Sequence, residues 1–402
     1  METLRERAIR GLKGLVAFAA AALILTPAVE AADWTAKWKT GHRIESEDGQ
    51  FELKFGGRLM ADWTFASGDD QVESAFGLAD GNEFRRARLF FSGTLYGNIG
   101  FKAQYDFAGG EVDIKDLYVE FEGPGLKVGH FKEPFSLEEL TSSKYITFLE
   151  RSLNNVFAPG RNTGIALGGG SDRWSYGVGV FRETDDGGES VGEDLLNLTG
   201  RFVYRPIYND DGEQLLHVGV SATSKDYDDT AVRFRQRPDA HQTDRFVNTG
   251  FFVADSATFI NGELAGVFGP WWFASEISTA DVDAPLVGDP SFDSFYVQTG
   301  FFLTGEHRQY KTSSGAFNRN KPNNNFGEGG GAWELAARYS TLDLVDAGIN
   351  GGELDTITFA VNWYINPATV LKLNYVLADV ERTDISVDGD ADFILARLQI
   401  DF

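Results

Sequence analysis

Three arginines, Arg233, Arg235 and Arg237, stand two residues apart in the stretch AVRFRQRPD, inside a chain of 402 residues whose formal net charge is −24. On an extended backbone, alternate side chains project to one side, so the three guanidinium groups form a single row. A guanidinium is a planar fork of donors that matches phosphate and other oxyanions, and it is weakly hydrated. A row of them can pass an anion from one site to the next. Pro238 ends the extended run. The competing reading is a loop pinned by ion pairs to Asp226, Asp228, Asp229, Asp239 and Asp244, which would use the arginines structurally.

Further bases sit where a passage would need them. Two long connectors, residues 130–161 and 304–326, carry Lys132 and Lys144 in the first and Lys311 and Lys321 in the second. Their ammonium groups are compact charges suited to a narrow site. Arg58, Arg86 and Arg88 occupy the polar parity of alternating segments, as do Lys102, Lys127, Arg201, Arg338, Lys372 and Arg397. Asp62, Asp106, Asp116, Glu120 and Glu334 share that parity, so part of the charge cancels.

Catalytic and metal chemistry find little support. The chain has no cysteine, and its five histidines are scattered with no ligand spacing, so neither a metal nor another cofactor is expected. No G-x-S-x-G is present, and no clustered base would activate a serine or a water, which argues against a membrane hydrolase. The G-x-G at 177–179 belongs to a strand, not to a phosphate loop. No nucleic-acid partner is expected.

The elements that must position these bases are read from periodicity. In FELKFGGRLMADWTF, residues 51–65, Phe51, Leu53, Phe55, Leu59, Ala61, Trp63 and Phe65 share one parity, and Glu52, Lys54, Arg58, Asp62 and Thr64 the other. Alternation of that length suits a tilted membrane strand better than the five or six residues usual in a soluble sheet. The segment 358–380 reads as a hairpin with Phe359, Val361, Trp363, Leu371, Leu373 and Tyr375 outward, and Thr358, Asn362, Lys372 and Asn374 inward. The chain ends on an alternating strand closed by Phe402, as bacterial outer-membrane barrels do. Sixteen such segments are expected, near 51, 84, 99, 113, 125, 161, 173, 195, 214, 256, 271, 292, 332, 354, 368 and 391. The fold class is therefore all-β, a sixteen-stranded antiparallel transmembrane barrel over 51–402, after a signal peptide over 1–31 and a short segment over 32–50. The signal peptide rests on Arg5, Arg7, Arg10 and Lys13 before the apolar run LVAFAAAALIL, with cleavage expected after Ala31.

The runs GHFKEPFSLEELTSSKYITFLERSLNNVFAPGRNTGIAL, RFRQRPDAH, GAWELAARYSTLDL and VNWYINPATVLKLNY resemble the phosphate-selective porins O and P of Gram-negative outer membranes. The resemblance implies a homotrimer of sixteen-stranded barrels in the bacterial outer membrane, each with its own anion-conducting pore. It implies that Arg233, Arg235 and Arg237 match an inward arginine ladder, and that a lysine constriction falls among Lys132, Lys144, Lys311 and Lys321. Inorganic phosphate or another small anion is then the solute. The surplus acid sits in segments expected to be extracellular loops, GDDQVESAFGLADGNE, ETDDGGESVGED, TADVDAPLVGDPSFD and ERTDISVDGDAD, where divalent cations would bridge it to lipopolysaccharide and outer-membrane lipid. A general or cation-preferring porin of the same fold is the alternative, with those acids as its determinant.

Overall fold

The structure, a computed structural model, describes residues 34–38, 41–190 and 196–402; the expected signal segment over 1–31 lies outside the described residues. The wall begins with Glu52–Gly68 (β1), Gly81–Leu95 (β2), Ile99–Asp106 (β3), Asp113–Phe121 (β4) and Leu126–Lys132 (β5). It continues through Arg161–Gly170 (β6), Trp174–Arg182 (β7), Asn197–Asn209 (β8), Gln214–Val232 (β9), Phe252–Phe268 (β10) and Trp271–Asp283 (β11). Ser291–Phe302 (β12), Ala332–Asp346 (β13), Ile349–Asn366 (β14), Thr369–Arg382 (β15) and Val387–Asp401 (β16) complete it. Every segment expected from alternation is a strand, including the short β4 and the strand expected near 256, which is β10.

Each strand pairs antiparallel with the next, and β16 returns to β1 with Arg397 opposite Asp62 and Asp401 opposite Arg58. Closure is what hydrocarbon demands, because an unpaired edge there would leave backbone donors with nothing to bond. The terminal residue joins in: Gly57 and Phe402 exchange backbone hydrogen bonds of 2.7 and 3.2 Å. A Cβ at Gly57 would stand 2.8 Å from the Phe402 ring, so glycine there lets the last aromatic side chain lie against β1. Before β1, Trp34–Trp38 and His42–Ser46 form a hairpin that adds onto its first residues, His42 opposite Phe55.

The parity expected from sequence is the parity found. On β14 and β15, Ile357, Phe359, Val361, Leu371, Leu373 and Tyr375 face outward, with Phe359 49% exposed. Thr358, Asn362 and Asn374 face inward and are buried, and Lys372 is only 3% exposed. A soluble sheet would bury the apolar parity; this one turns it to lipid and keeps its polar atoms inside.

The connectors differ in part from the expectation. Both long ones enter the lumen: residues 133–160 carry the helix Leu137–Leu140 and bury Phe148, Leu149, Leu153 and Phe157. Residues 303–331 carry a hairpin, Tyr310–Lys311 paired with Ala316–Phe317, that packs beneath them. A third connector, 233–251, also folds inward, burying Phe234, Ala240, Phe246 and Val247, and the sequence reading did not anticipate it as an insertion. Two acidic segments expected to be loops are largely strand: Thr279–Asp283 belongs to β11 and Val387–Asp392 to β16. Only residues 383–386 connect β15 to β16. The wall strands β3 to β7 are short, between 7 and 10 residues, against 19 in β9 and 18 in β14. The three insertions pack against the taller wall, which leaves open space along the shorter one.

Phe359→Arg will cost roughly 2–4 kcal/mol of folding stability, as a basic side chain at the lipid midplane does, while Phe359→Leu will cost far less. Equilibrium refolding into lipid vesicles over a urea gradient measures the difference.

Candidate functional site

The lumen holds two sets of charges, separated by their partners. On the tall wall, ionisable side chains are spent on the inserted loops. Arg397 forks onto Asp62 at 2.6 and 2.7 Å and also reaches Glu150 at 2.9 Å. Arg85 from β2 takes the other side of Glu150 at 2.9 Å, so this one loop carboxylate ties the first insertion to both ends of the sheet. Arg338 meets Asp239 at 2.8 Å and Glu138 at 3.4 Å, joining β13 to two insertions at once. Backbone amides do the same work: Leu137 and Glu138 donate to the Glu276 carboxylate, Leu149 to Asn374 and Leu153 to Ser340. Lys372 likewise donates to the Ile146 carbonyl of the first insertion, so Arg338, Lys372 and Arg397, expected among the inward bases, are inward and structural.

The side of the lumen toward the short wall, which the inward faces of β1 and β2 adjoin, is different. A cavity of about 460 Å³ lies between β1 to β6 and the first insertion, lined by nine basic side chains and one carboxylate, Asp116. Of the ten bases expected along the anion path, Arg58, Arg86, Arg88, Lys132 and Lys311 line it, and Lys102, Lys127, Arg151 and Arg161 join them. Several are balanced from behind. Arg88 bonds Asp106 at 2.6 Å, Lys102 and Arg161 share Asp116 at 2.5 and 2.9 Å, and Lys127 meets Glu120 at 3.3 Å. Lys132 and Arg151 share Glu139 at 2.7 and 3.2 Å. Burial works to raise the Glu139 carboxyl, but Arg151 and Lys132 overcome it and hold it at about 2.

Among the described residues, Arg58, Arg86 and Lys311 have no carboxylate within ion-pair distance. Arg58 donates to the Ser143 hydroxyl at 2.6 Å and leans toward Ser142. Among the described residues, the Arg86 guanidinium makes one hydrogen bond, to the Met60 sulfur at 3.7 Å, and its buried Nε has no acceptor. Unpaired guanidinium groups facing a water-sized space are poised for an anion. The hydroxyls of Ser142, Ser143, Tyr118 and Tyr145 and the amide of Asn318 supply uncharged donors around them. Sequence reasoning missed these neutral groups, because nothing in TSSKY distinguishes a pore-lining serine from a surface one.

Other expected site residues lie elsewhere. Lys321 is exposed and lines neither of the two cavities of the lumen. Lys144 points at Asp401, 3.5 Å away, and sits over the Tyr145 ring. Burial lowers its ammonium pKa to about 8, with Arg58 the next cause and Asp401 opposing. Arg233, Arg235 and Arg237 keep their common parity, with Val232 and Phe234 buried on the other side. Arg235 pairs across the loop with Asn248, Arg233 stacks on Phe251 at 4.2 Å, and Arg237 donates to the Thr243 carbonyl at 2.7 Å. Of the acids expected to pin them, Asp239 is taken by Arg338, and no carboxylate bridges the three among the described residues. Arg245 joins them: partial burial and then repulsion from Arg237, Arg235 and Arg233 bring its guanidinium down to about 10. This cluster does not line the basic cavity. It rides on the loop that crosses toward β2, where His241 meets Glu83 at 2.8 Å.

A second cavity of about 630 Å³ adjoins the first, sharing Lys127, Phe131, Lys132, Leu140 and Ser314 with it. It runs to the turns 122–125 and 171–173, and its lining balances Glu120, Glu122 and Asp172 against Lys127, Lys132 and Arg201. The passage therefore goes from a basic waist to an evenly charged chamber.

The sequence that builds this wall matches the family model of the phosphate-selective porin O and P over residues 53–402. The chain belongs to this family. It is 28% identical over 435 residues to Porin O of Pseudomonas aeruginosa, covering 96% of this chain and 97% of that one. Among solved structures it resembles an anion-selective porin from Comamonas acidovorans, with a TM-score of 0.55, 13% identity, and coverage of 88% and 100%. It also resembles OmpT of Vibrio cholerae in its trimer form, at a TM-score of 0.53 and 11% identity, with 88% and 99% covered. This is a porin of the bacterial outer membrane, a channel and not an enzyme.

Lys144 does not line the waist but lies near enough for Arg58 to lower its pKa, and because its ammonium loses its proton near pH 8, the waist feels less neighbouring positive charge as pH rises from 7 to 9. The chloride share of the KCl current will fall over that range, and Lys144→Gln will flatten the profile; zero-current potentials at stepped pH measure both.

Proposed function

We propose that this porin is an anion-selective diffusion channel for phosphate or a related oxyanion, working as a homotrimer with one pore in each barrel. The observation that carries the reading is the waist: nine bases against one acid, with Arg58, Arg86 and Lys311 lacking carboxylate partners among the described residues. The arginines on the loop 233–251 concentrate anions at the mouth and take part of their hydration. Arg58 and Arg86 then hold the anion beside Ser142 and Ser143, and Lys132 and Lys311 draw it onward. Several weak sites in series let it leave as readily as it enters, which conduction requires. The balanced lower chamber releases it.

The family's description as phosphate-selective and the anion-selective Comamonas porin support the class of solute, and the trimer form of OmpT supports the assembly. Against the cation-preferring alternative, one row of acids on β12 to β16 faces outward, away from the lumen, while the inward Glu334 and Asp401 are buried and held by partners. Asp293, Asp343, Glu353, Glu381 and Asp388 stand opposite one another on successive strands. Like charges in direct opposition destabilise a sheet, and divalent cations among lipopolysaccharide phosphates would relieve them.

In a planar bilayer under a KCl gradient the zero-current potential will have the anionic sign, and phosphate will block the chloride current. Arg58→Ala and Arg86→Ala will each weaken that block by about tenfold, the loss of one charged hydrogen bond. A cationic sign would overturn the reading and leave the fold untouched.

A further inference from the structure

The hairpin inserted between β12 and β13, Tyr310–Lys311 with Ala316–Phe317, forms one wall of both chambers: Lys311 and Ser314 line the basic waist, and Thr312, Ser313 and Ser314 line the adjoining chamber. An eight-residue hairpin, Tyr310 to Phe317, reaching into an open lumen does not hold its place by itself. Its seat is a buried polar cluster on three wall strands.

Glu263 on β10 is the centre. It accepts both arms of Arg201 from β8, at 2.8 and 2.6 Å, and Nε2–H of His217 from β9 at 3.0 Å. With that proton committed to Glu263, His217 Nδ1 is left as an acceptor, and the Tyr310 hydroxyl donates to it at 2.7 Å. Arg205 approaches the same hydroxyl at 3.4 Å. Arg201 has donors to spare, and it gives them to the hairpin's turn, the carbonyls of Ser314 at 3.1 Å and Gly315 at 2.7 Å. The approach is close enough that a Cβ on Gly315, which has φ +57°, would stand 3.0 Å from Arg201 and 3.1 Å from Ser175. Arg205 and His217 are fully buried, and Glu263, Arg201 and Tyr310 nearly so.

None of these groups is free to bind a passing anion. We infer that Arg201, His217 and Glu263 are positioning residues: they seat the inserted hairpin so that Lys311 enters the waist and the Thr312–Gly315 turn sets the width of the lower passage. The part concerning Lys311 rests on the anion-selective reading above; the part concerning width does not. Arg201, expected from its parity to be a pore base, acts through the hairpin instead.

Two substitutions test the seat in the full chain reconstituted in planar bilayers. Tyr310→Phe removes one oxygen from the hairpin and leaves the wall intact. Glu263→Gln removes the charge at the centre. Both variants should migrate as heat-modifiable barrels, raise the single-channel conductance in KCl by roughly twofold, and lower anion preference. Combined with Lys311→Ala, neither should lower that preference beyond Lys311→Ala alone, because residues acting through one another are not additive. Should Glu263→Gln fail to fold, Tyr310→Phe still decides the matter. Folded variants with unchanged conductance and zero-current potential would overturn the inference, as would effects that add to those of Lys311→Ala. If the unmodified channel proves cation-preferring, the conductance change in Tyr310→Phe alone supports or overturns the seat.

Discussion

Lipid offers the backbone no hydrogen-bond partner, and every other feature of this porin follows from that. The sheet has to close, so Phe402 and Gly57 complete the last seam. A closed sheet has two faces, and the one turned to hydrocarbon accepts only apolar side chains. Each Arg, Lys, Asp and Glu of the strands is then driven either into the lumen or beyond the edge of the apolar band. Selectivity begins as the consequence of a solvent the charges cannot enter.

Once inside, the charges divide the lumen between them. Along the tall wall they meet in pairs and hold three inserted loops, with Glu150 gripping Arg85 and Arg397 and with Asp239 gripping Arg338. Such buried pairs are poor sources of net stability, but removing either member would leave a bare charge, so they fix where each loop lies. Along the short wall, acids are too few to balance the bases, and the surplus faces the space the loops have left. An acidic chain can carry a basic waist because its net charge and its pore potential are set in different places. The outward row of acids on β12 to β16 and the inward bases of β1 to β6 lie on opposite faces of the wall.

The wall was legible in the sequence because a period of two is a local property. Phe51 to Phe65 announces β1 without reference to any other strand, and the arginine row at 233, 235 and 237 announces its common parity in the same way. The family resemblance rested on longer runs and added the sense of the two long connectors. What lay beyond reach was the partnering of charges. Arg201, Arg58 and Arg397 look alike in sequence, yet Arg201 seats a hairpin 113 and 114 residues away, Arg397 grips a carboxylate 247 residues away, and Arg58 meets a serine hydroxyl. The inward fold of the third insertion depends on Phe234 and Phe246 finding apolar partners on distant strands, which no window around them contains. Arg245 joins the arginine cluster only because that loop doubles back.

The central claim is that the uncompensated bases of the short wall, and not the paired ones of the tall wall, are where an oxyanion rests. Anomalous diffraction from crystals soaked in arsenate, a phosphate mimic that scatters strongly, tests it directly. An arsenic peak within hydrogen-bonding reach of Arg58 and Arg86, beside Ser142 and Ser143, is the predicted result. An empty waist in arsenate that fills with rubidium when the crystals are soaked in its chloride would contradict the account.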